Sequence, residues 1–314
     1  MIHRSPARRL VPWLVLVLGA WSGGCGEGQL VTLGRTEAPA FRPRFLPPRP
    51  LDELAPASVE DDYKDDNPVL TGDLLELYFT STREGGPGDT DVWRARRSSR
   101  DARFEAPEPV DIVSTERFDS SPAVSLDGGS LWVGSQRDGG LGELDIWVSH
   151  RADRDAPWSE PELVAELSTE EKDIPRPPGQ GGLVMPLASQ RDSPGVYRTF
   201  LATRPSPDAA FSSVEPLSEL WFDDRATVDA FLTDDGLALY VNLSEGDDDG
   251  GDLYVARRET LDEPFSPPEP LDALNTEGDE RDPWLSPDGT RLFFASDRDG
   301  ALRIYESEVV LEAP

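Results

Sequence analysis

An internal repeat constrains the fold of this 314-residue chain more than any other feature of its sequence. The turn-forming block Ser286–Gly289 has counterparts that begin at Thr71, Ser125, Pro178 and Thr233. Successive starts are 54, 53, 55 and 53 residues apart. Five units of one period indicate a repeat architecture in which each unit forms one supersecondary structure.

Every unit carries its strand and turn signals in the same order. The first strand precedes a tight turn with an Asp-Gly pair, which favours a hairpin and begins at Asp127 in unit two and at Asp288 in unit five. A second strand follows, and a loop rich in Gly and Asp leads to a third strand. A fourth segment contains prolines, which are tolerated at the outer edge of a sheet because the missing N–H costs least there. Each third strand is expected to have a central aromatic residue, namely Trp93, Trp147, Tyr197, Tyr254 or Tyr305.

Four short strands repeated at this period predict the blades of an all-β propeller around a central channel. We predict five four-stranded blades over residues 45–314. The last unit ends after its third strand, but Phe45–Leu54 matches Phe265–Leu274, the fourth segment of unit four, at seven of ten positions. The N-terminal strand is therefore expected to complete the last blade and to remove an exposed sheet edge.

The repeat resembles the PD40 repeat, a WD40-like sequence of TolB-type propellers and other bacterial envelope proteins. The stretches that carry the resemblance most specifically are Asp282–Gly289 and Ser296–Gly300. Unit three departs from the pattern because Gln180 replaces the turn aspartate, and unit four lacks the arginine after Ser244. The resemblance implies a propeller that binds other molecules and does not catalyse a reaction.

Residues 1–24 are predicted to be an export signal. Arg4, Arg8 and Arg9 precede the apolar run Leu10–Ala20, as in secretory signal peptides. This run is too short to span a bilayer, for which about 20 apolar residues are needed. The sequence therefore predicts transfer across a membrane and not a membrane-spanning helix.

The end of this signal resembles a bacterial lipoprotein lipobox. Gly23, Gly24 and Cys25 fit the motif, whereas Ser22 replaces its usual aliphatic residue. Cys25 is the only cysteine, so it cannot form an internal disulfide. We expect Cys25 to be lipidated and residues 25–44 to form a flexible tether. An Asp directly after the lipidated cysteine would favour the inner membrane, but Gly26 stands there. We therefore expect a lipid-anchored protein of the outer membrane that faces the periplasm. Simple secretion is the alternative.

The composition excludes several classes of function. The chain has 61 acidic and 30 basic residues and a formal net charge of -31, which argues against binding of nucleic acid. The charge favours a cationic partner or simply a solvated acidic surface. With two histidines and one cysteine, a multi-histidine metal site and a thiol nucleophile in the propeller are not expected. No Gly-x-Ser-x-Gly elbow indicates triad chemistry.

A repeated serine and arginine follow the second strand in four units. The serine lies two residues before the arginine, and the arginines are Arg83, Arg137, Arg191 and Arg298. A ring of these arginines would bind an anionic ligand. Alternatively, the arginines pair with acidic residues between blades, in which case their role is structural.

Three acidic residues stand at the start of first strands, three residues before a proline. Asp65, Asp119 and Glu280 are expected at the channel mouth, where they would bind a cation or a basic peptide. In a chain with so many acids, chance alignment is the alternative.

The acidic run at 245–252 allows a weak expectation of calcium near Asp247 and Asp249. Position twelve of this run is Ala256 and not the glutamate of a calcium loop, so a solvated turn is the other interpretation. No other cofactor or metal is expected.

These observations predict a lipid-anchored scaffold or binding module for an envelope protein or polymer. The alternative is a propeller glycosidase, or a polysaccharide-binding protein, with carboxylates at the channel mouth. Glycoside hydrolysis needs only two carboxyl groups about 5–10 Å apart, which an acidic chain can supply.

Overall fold

The five repeat units form five separate antiparallel sheets, each the blade of a propeller, in the computed structural model. The structure describes residues 42–56, 63–223, 225–244 and 251–312. The predicted five-bladed all-β fold is confirmed. The predicted export signal, Cys25, most of the tether and the possible calcium ligands Asp247 and Asp249 lie outside the described residues.

The strands follow one another from the centre of each blade to its edge. The N-terminal strands are β1 (Arg42–Phe45) and β2 (Arg49–Pro50). Blade 1 contains β3 (Asp65–Leu70), β4 (Glu76–Ser81), β5 (Asp91–Arg96) and β6 (Glu108–Pro109). Blade 2 contains β7 (Asp119–Val124), β8 (Ser130–Ser135), β9 (Asp145–His150) and β10 (Glu162–Leu163).

The remaining three blades repeat this order. Blade 3 contains β11 (Asp173–Pro175), β12 (Val184–Ser189), β13 (Arg198–Thr203) and β14 (Ser213–Pro216). Blade 4 contains β15 (Ala226–Leu232), β16 (Ala238–Ser244), β17 (Gly251–Arg257) and β18 (Glu269–Pro270). Blade 5 contains β19 (Glu280–Leu285), β20 (Arg291–Ser296) and β21 (Arg303–Glu312). Short 3-10 helices span Asp52–Leu54, Gln180–Gly182 and Ser218–Leu220.

Antiparallel pairing gives the propeller two distinct faces. We call the upper face the one at which first strands begin and second strands end, as where Asp65 pairs with Ser81. The lower face carries the turns that join first to second strands. Among the described residues, no helix has the length and apolar character needed to cross a membrane.

The N-terminal segment completes blade 5, as predicted. Strand β2 pairs with β21 through Arg49 and Glu306, and Leu51 beside it is buried like its counterpart Leu271 in blade 4. Strand β21 continues past the lower end of β20, and its last four residues pair with β1. The N-terminal segment is therefore joined to the C-terminal strand β21 by two short strands, β1 and β2.

First strands in four blades contain a bulge at the same position. The residue there has a positive φ of 51° to 56°, and the four residues are Asn67, Ser121, Asp229 and Asp282. In blade 3 the corresponding residue is Pro175, whose ring fixes φ near −65°. Strand β11 therefore pairs with β12 without a register shift. The sequence of blade 3 thus explains why its inner strand differs.

The third strands contain the expected aromatic residues in four blades. Trp93, Trp147 and Tyr305 are buried within them, and Tyr254 lies in β17. The prediction for Tyr197 was wrong because this residue precedes β13. The central position of β13 is occupied by Phe200, which lies opposite Leu187 as Trp93 lies opposite Phe79.

Candidate functional site

A buried ion pair ties the upper end of blade 1 together. The Nη2 atom of Arg83 lies 2.6 Å from Oδ2 of Asp65, and its Nε donates to Ser81 Oγ at 2.9 Å. Its Nη1 donates to the carbonyl oxygen of Leu54, in the segment that enters the blade, at 2.8 Å. Burial raises the pKa of Asp65, whereas Arg83 acts to lower it. One guanidinium thus joins the first strand, the second strand and the incoming chain; we call this arrangement the upper clasp.

The upper clasp recurs in blades 2, 3 and 5. Its acid–arginine pairs are Asp119–Arg137 at 3.1 Å, Asp173–Arg191 at 2.8 Å and Glu280–Arg298 at 3.2 Å. Each arginine also donates to the carbonyl oxygen of an incoming residue, Val113, Leu167 or Leu274.

The open acidic rim expected from Asp65, Asp119 and Glu280 does not form, because their side chains are buried in the clasps. The alternative prediction, that the arginines pair with acidic residues between blades, was also wrong, because each arginine pairs with an acid of its own blade. The expected anion-binding ring is not supported, because the Nε and Nη2 atoms of each arginine are engaged by the serine, the acid and, in blades 2, 3 and 5, the carbonyl oxygen. Asp173 was missed as the fourth acid because Arg176, not proline, follows it after three residues.

Blade 4 replaces the clasp with a neutral contact. Thr227 stands at the acidic position, and its Oγ1 donates to the carbonyl oxygen of Leu220 at 2.6 Å. This carbonyl corresponds to the one that the arginine engages in the other blades. The departure of unit four from the repeat therefore removes a buried charge pair while keeping the link to the incoming chain.

A second set of repeated arginines, which the sequence analysis missed, stabilises the lower face. Arg97, Arg151, Arg204 and Arg258 each follow the third strand at offsets of 54, 53 and 54 residues. Their Nε atoms donate to turn carbonyls of the lower face at 2.6 to 2.8 Å. Each guanidinium also stacks on the aromatic residue before the fourth strand, at 4.3 to 4.7 Å from the ring centre. Their spacing, which equals the period of the repeat, is the sequence signal that identifies them.

A cavity of about 260 Å³ opens at the upper end of the channel. Residues one and two positions after the clasp acids line it, including Asp66, Asn67, Ser120 and Ser121. Phe118 also lines this cavity and is 41 % exposed. Hydroxyl, amide and charged groups thus share the lining with apolar side chains such as Leu144 and Val228, and the ring of Phe118 is open to solvent.

One residue from each blade joins a hydrogen-bonded network around the channel. Ser121 of blade 2 donates from Oγ to Asn67 Oδ1 of blade 1 at 3.2 Å. The backbone N–H of Asn67 donates to Asp282 Oδ2 of blade 5 at 3.0 Å. Arg176 of blade 3 donates to Asp282 at 3.1 Å and to Asp229 of blade 4. The four bulge residues and Arg176 together form this channel ring.

Asp66 is the channel carboxylate with a strongly perturbed proton affinity. Burial raises its pKa to about 7, and the nearby charge of Asp282 adds to the effect. Arg281 and Arg176 act in the opposite direction. Asp66 is therefore partly protonated near neutral pH and is able to donate as well as accept a hydrogen bond.

Arg176 engages two of the carboxylates that line the cavity and so limits the reactions in which they can take part. Its guanidinium forms ion pairs with Asp229 and Asp282, whereas burial raises the pKa of Asp66 to about 7. Within the described residues no three side chains of His, Cys, Asp or Glu are grouped to hold a metal ion. The cavity is suited to hydrogen bonding of a polar ligand, and acid catalysis would depend on Asp66.

Comparisons with known proteins agree with the fold. No protein-family model matches the sequence, and no curated protein is similar to it. A solved structure assigned to TolB from Agrobacterium tumefaciens is similar with a TM-score of 0.51 and 13 % identity, over 86 % of this chain and 88 % of that chain.

Two glycosidases have similar folds. An endo-arabinase from Bacteroides thetaiotaomicron gives a TM-score of 0.53 at 12 % identity, over 79 % of this chain and 95 % of the other. An α-L-arabinofuranosidase from Podospora anserina gives 0.53 at 12 % identity, over 85 % and 96 %. At these identities the likeness shows the propeller fold alone, which is shared by the TolB-type protein and the two glycosidases.

Proposed function

We propose that this protein is a lipid-anchored binding module of the cell envelope that takes its ligand at the upper mouth of the channel. The observation that carries the proposal is Phe118, an exposed aromatic ring beside a cavity lined by hydroxyl and amide groups. Aromatic residues are enriched at binding interfaces because they contribute a large contact area at low entropic cost. The ligand is an envelope protein or polymer.

The channel ring favours binding over hydrolysis. An enzyme of the glycosidase type needs one carboxyl group as acid and a second as base or nucleophile. Asp229 and Asp282 both accept hydrogen bonds from Arg176, and Asp282 also accepts from Asn67. These carboxylates are thus engaged by partners within the protein and link the inner strands of neighbouring blades.

The N-terminal strand enters the propeller at its lower face, opposite the proposed site. Strand β1 pairs with Val309–Glu312, beyond the point where Arg291 and Glu308 end the pairing of β20 and β21. The upper mouth is therefore not covered by this strand.

The experiment is a cross-linked capture from an envelope extract with the purified protein as bait. Phe118→Ala removes the exposed ring, and Thr82→Trp places a bulky side chain at an exposed position of the cavity wall. Leu261→Ala is the matched control, since Leu261 is 52 % exposed away from this cavity. Capture that persists in the control and is lost in both variants supports the proposal; equal capture by all three proteins contradicts it.

Substitution of Asp65, Asp119 or Glu280 would not give an informative test. Each carboxylate is buried beside an arginine, and removing one partner of a buried pair costs about 3–5 kcal/mol. Loss of binding would then report loss of folding.

The second candidate function is glycoside hydrolysis with Asp66 as general acid. The raised pKa of Asp66, about 7, is the observation that favours it, because a general acid must be protonated near the working pH. The test is release of reducing sugar from arabinan and arabinoxylan oligosaccharides by the protein and by Asp66→Asn. Release that Asp66→Asn abolishes would support the enzyme, and no release by either protein would favour the binding module.

A further inference from the structure

One of the four carboxylates that line the upper cavity has no partner of its own. Three of them form ion pairs with Arg176 or Arg281, and these three are Asp229, Asp279 and Asp282. The fourth, Asp66, forms neither a hydrogen bond nor an ion pair with the residues that the structure describes. Its oxygen atoms are therefore available to a ligand in the cavity.

The surroundings of Asp66 disfavour its negative charge. Burial has the largest effect and raises its pKa to about 7. On β19, Asp282 adds to this effect while Arg281 opposes it, and Arg176 of blade 3 also opposes it. Asp65 on the same strand raises the pKa further. A cation that entered the cavity would stabilise the ionised carboxylate, because an opposite charge nearby favours the charged form.

The other elements around Asp66 supply no paired cation. Thr80 stands opposite it on β4, and Ser120 and Ser121 of β7 line the same cavity without a charge. Lys64 also lines the cavity, but it is exposed and forms no ion pair with Asp66 within the described chain. The positive partner of Asp66 would have to come from a ligand.

The cavity is suited in size and lining to a single long side chain. Its volume of about 260 Å³ lies below the range of about 300–1,000 Å³ that is typical of pockets for drug-sized ligands. Leu144, Ile174 and Val228 line it together with the exposed ring of Phe118. These groups can contact an aliphatic stem, and the hydroxyl groups of the lining can accept the remaining N–H bonds of an ammonium group.

Given binding at the upper mouth, on which this inference rests, we propose that the cavity holds a primary ammonium group on an aliphatic stem, as in a lysine side chain of a protein partner. The ammonium group would pair with Asp66, and its stem would contact Leu144 and Val228. Pairing requires the ionised carboxylate, so a protonated Asp66 gives its proton to solvent when the ligand binds.

The test is isothermal titration calorimetry with the capped peptide Gly-Lys-Gly and, as the neutral control, the same peptide with norleucine in place of lysine. Asp66→Asn keeps the size of the side chain and removes its charge. Asp262→Asn makes the same change at an exposed position of the lower face.

We expect Asp66→Asn to weaken binding of the lysine peptide about tenfold or more at pH 8, because a hydrogen bond between charged groups is lost. Asp262→Asn should bind it as the unchanged protein does. Equal weakening by both variants would show general attraction to an acidic protein and would overturn the site. Equal affinity of the unchanged protein for the two peptides, or no binding of the lysine peptide, would also overturn it.

The pH dependence of binding provides a second readout that needs no variant. The lysine side chain stays cationic from pH 6 to pH 8, because its usual pKa is about 10.4. Asp66 ionises across this range, so the dissociation constant of the lysine peptide should fall about tenfold from pH 6 to pH 8. The same fall in Asp66→Asn would overturn the role of Asp66.

Capture from the envelope extract separates this inference from the proposed function. Loss of capture in both Phe118→Ala and Asp66→Asn supports both. Loss in Phe118→Ala with full capture by Asp66→Asn supports the upper mouth and overturns the ammonium group. Full capture by Phe118→Ala, with peptide binding that depends on Asp66, contradicts the proposed function and supports the ammonium site.

Discussion

Arg176 of blade 3 donates a hydrogen bond to Asp282 of blade 5 across the channel, at a distance of 3.1 Å. The same guanidinium donates to Asp229 of blade 4, so three blades meet at one side chain. Arg176 is buried, and burial lowers its pKa while Asp282 acts to raise it. This arrangement follows from Pro175, because the regular strand in blade 3 lacks the bulge residue that the other four blades direct to the channel ring.

The bulge should not tolerate proline. Ser121 has φ of 53° and its N–H donates to Thr80 Oγ1 at 3.0 Å. Ser121→Pro would impose a negative φ and remove this donor, so we expect a loss of about 3 kcal/mol or more in the free energy of unfolding. Ser121→Gly, which keeps both features, should stay within about 1 kcal/mol of the unchanged protein. Chemical denaturation measures both, and equal stability of the two variants would contradict the assigned backbone conformation.

Each upper clasp should contribute more to the free energy of unfolding than the neutral contact of blade 4. Asp119→Asn leaves Arg137 without its carboxylate, and we expect a loss of about 3–5 kcal/mol. Thr227→Val removes one neutral hydrogen bond to Leu220, for which we expect a loss of about 1 kcal/mol. Denaturant titration of each variant gives the comparison. A loss for Asp119→Asn no larger than that for Thr227→Val would contradict the importance of the buried pair.

The N-terminal segment should contribute to blade 5 as much as a fourth segment contributes elsewhere. Leu51 and Leu271 occupy equivalent buried positions in blades 5 and 4. We expect Leu51→Ala and Leu271→Ala each to lower the free energy of unfolding by about 2–5 kcal/mol. Deleting residues 45–51 should destabilise the whole propeller, because the deletion also removes the ion pair between Arg49 and Glu306. An unchanged melting temperature after this deletion would show that closure does not need the segment.

Asp66 should make stability depend on pH between about 4 and 7. Its pKa rises from 3.8 to about 7 in the folded protein, so the folded state binds the proton more tightly than the unfolded state across this window. The free energy of unfolding therefore falls as pH rises through the window. Asp66→Asn removes this contribution, and its Tm relative to the unchanged protein should rise between pH 5 and pH 8, by roughly 2–4 °C for each kcal/mol. Parallel Tm curves would contradict the raised pKa.

The repeat made the fold predictable because every blade uses the same strand and turn signals. The match of Phe45–Leu54 to Phe265–Leu274 even predicted the closure, since sequence likeness at one position in the blade implies the same packing. Strand β1 was not predicted, because its pairing with the extension of β21 occurs once and has no counterpart in the repeat.

The candidate site was less predictable, because one residue of register decides whether a side chain faces the channel or the interior of a blade. Asp65 was expected at the mouth, but the bulge turns Asp66 and Asn67 toward the cavity and leaves Asp65 in the clasp. The cross-channel contacts of Arg176 join residues more than 50 positions apart, which the repeat pattern does not encode. Arg97 and its three counterparts were detectable from their spacing alone.

The most direct test of the proposed binding function is photo-crosslinking from the upper mouth. The photoreactive amino acid p-benzoylphenylalanine would replace Phe118 in one protein and the exposed Leu261 in another, and each protein would be irradiated in an envelope extract. A discrete adduct from position 118 and none from position 261 is the predicted result. No adduct from position 118, or the same adducts from both positions, would contradict binding at the upper mouth.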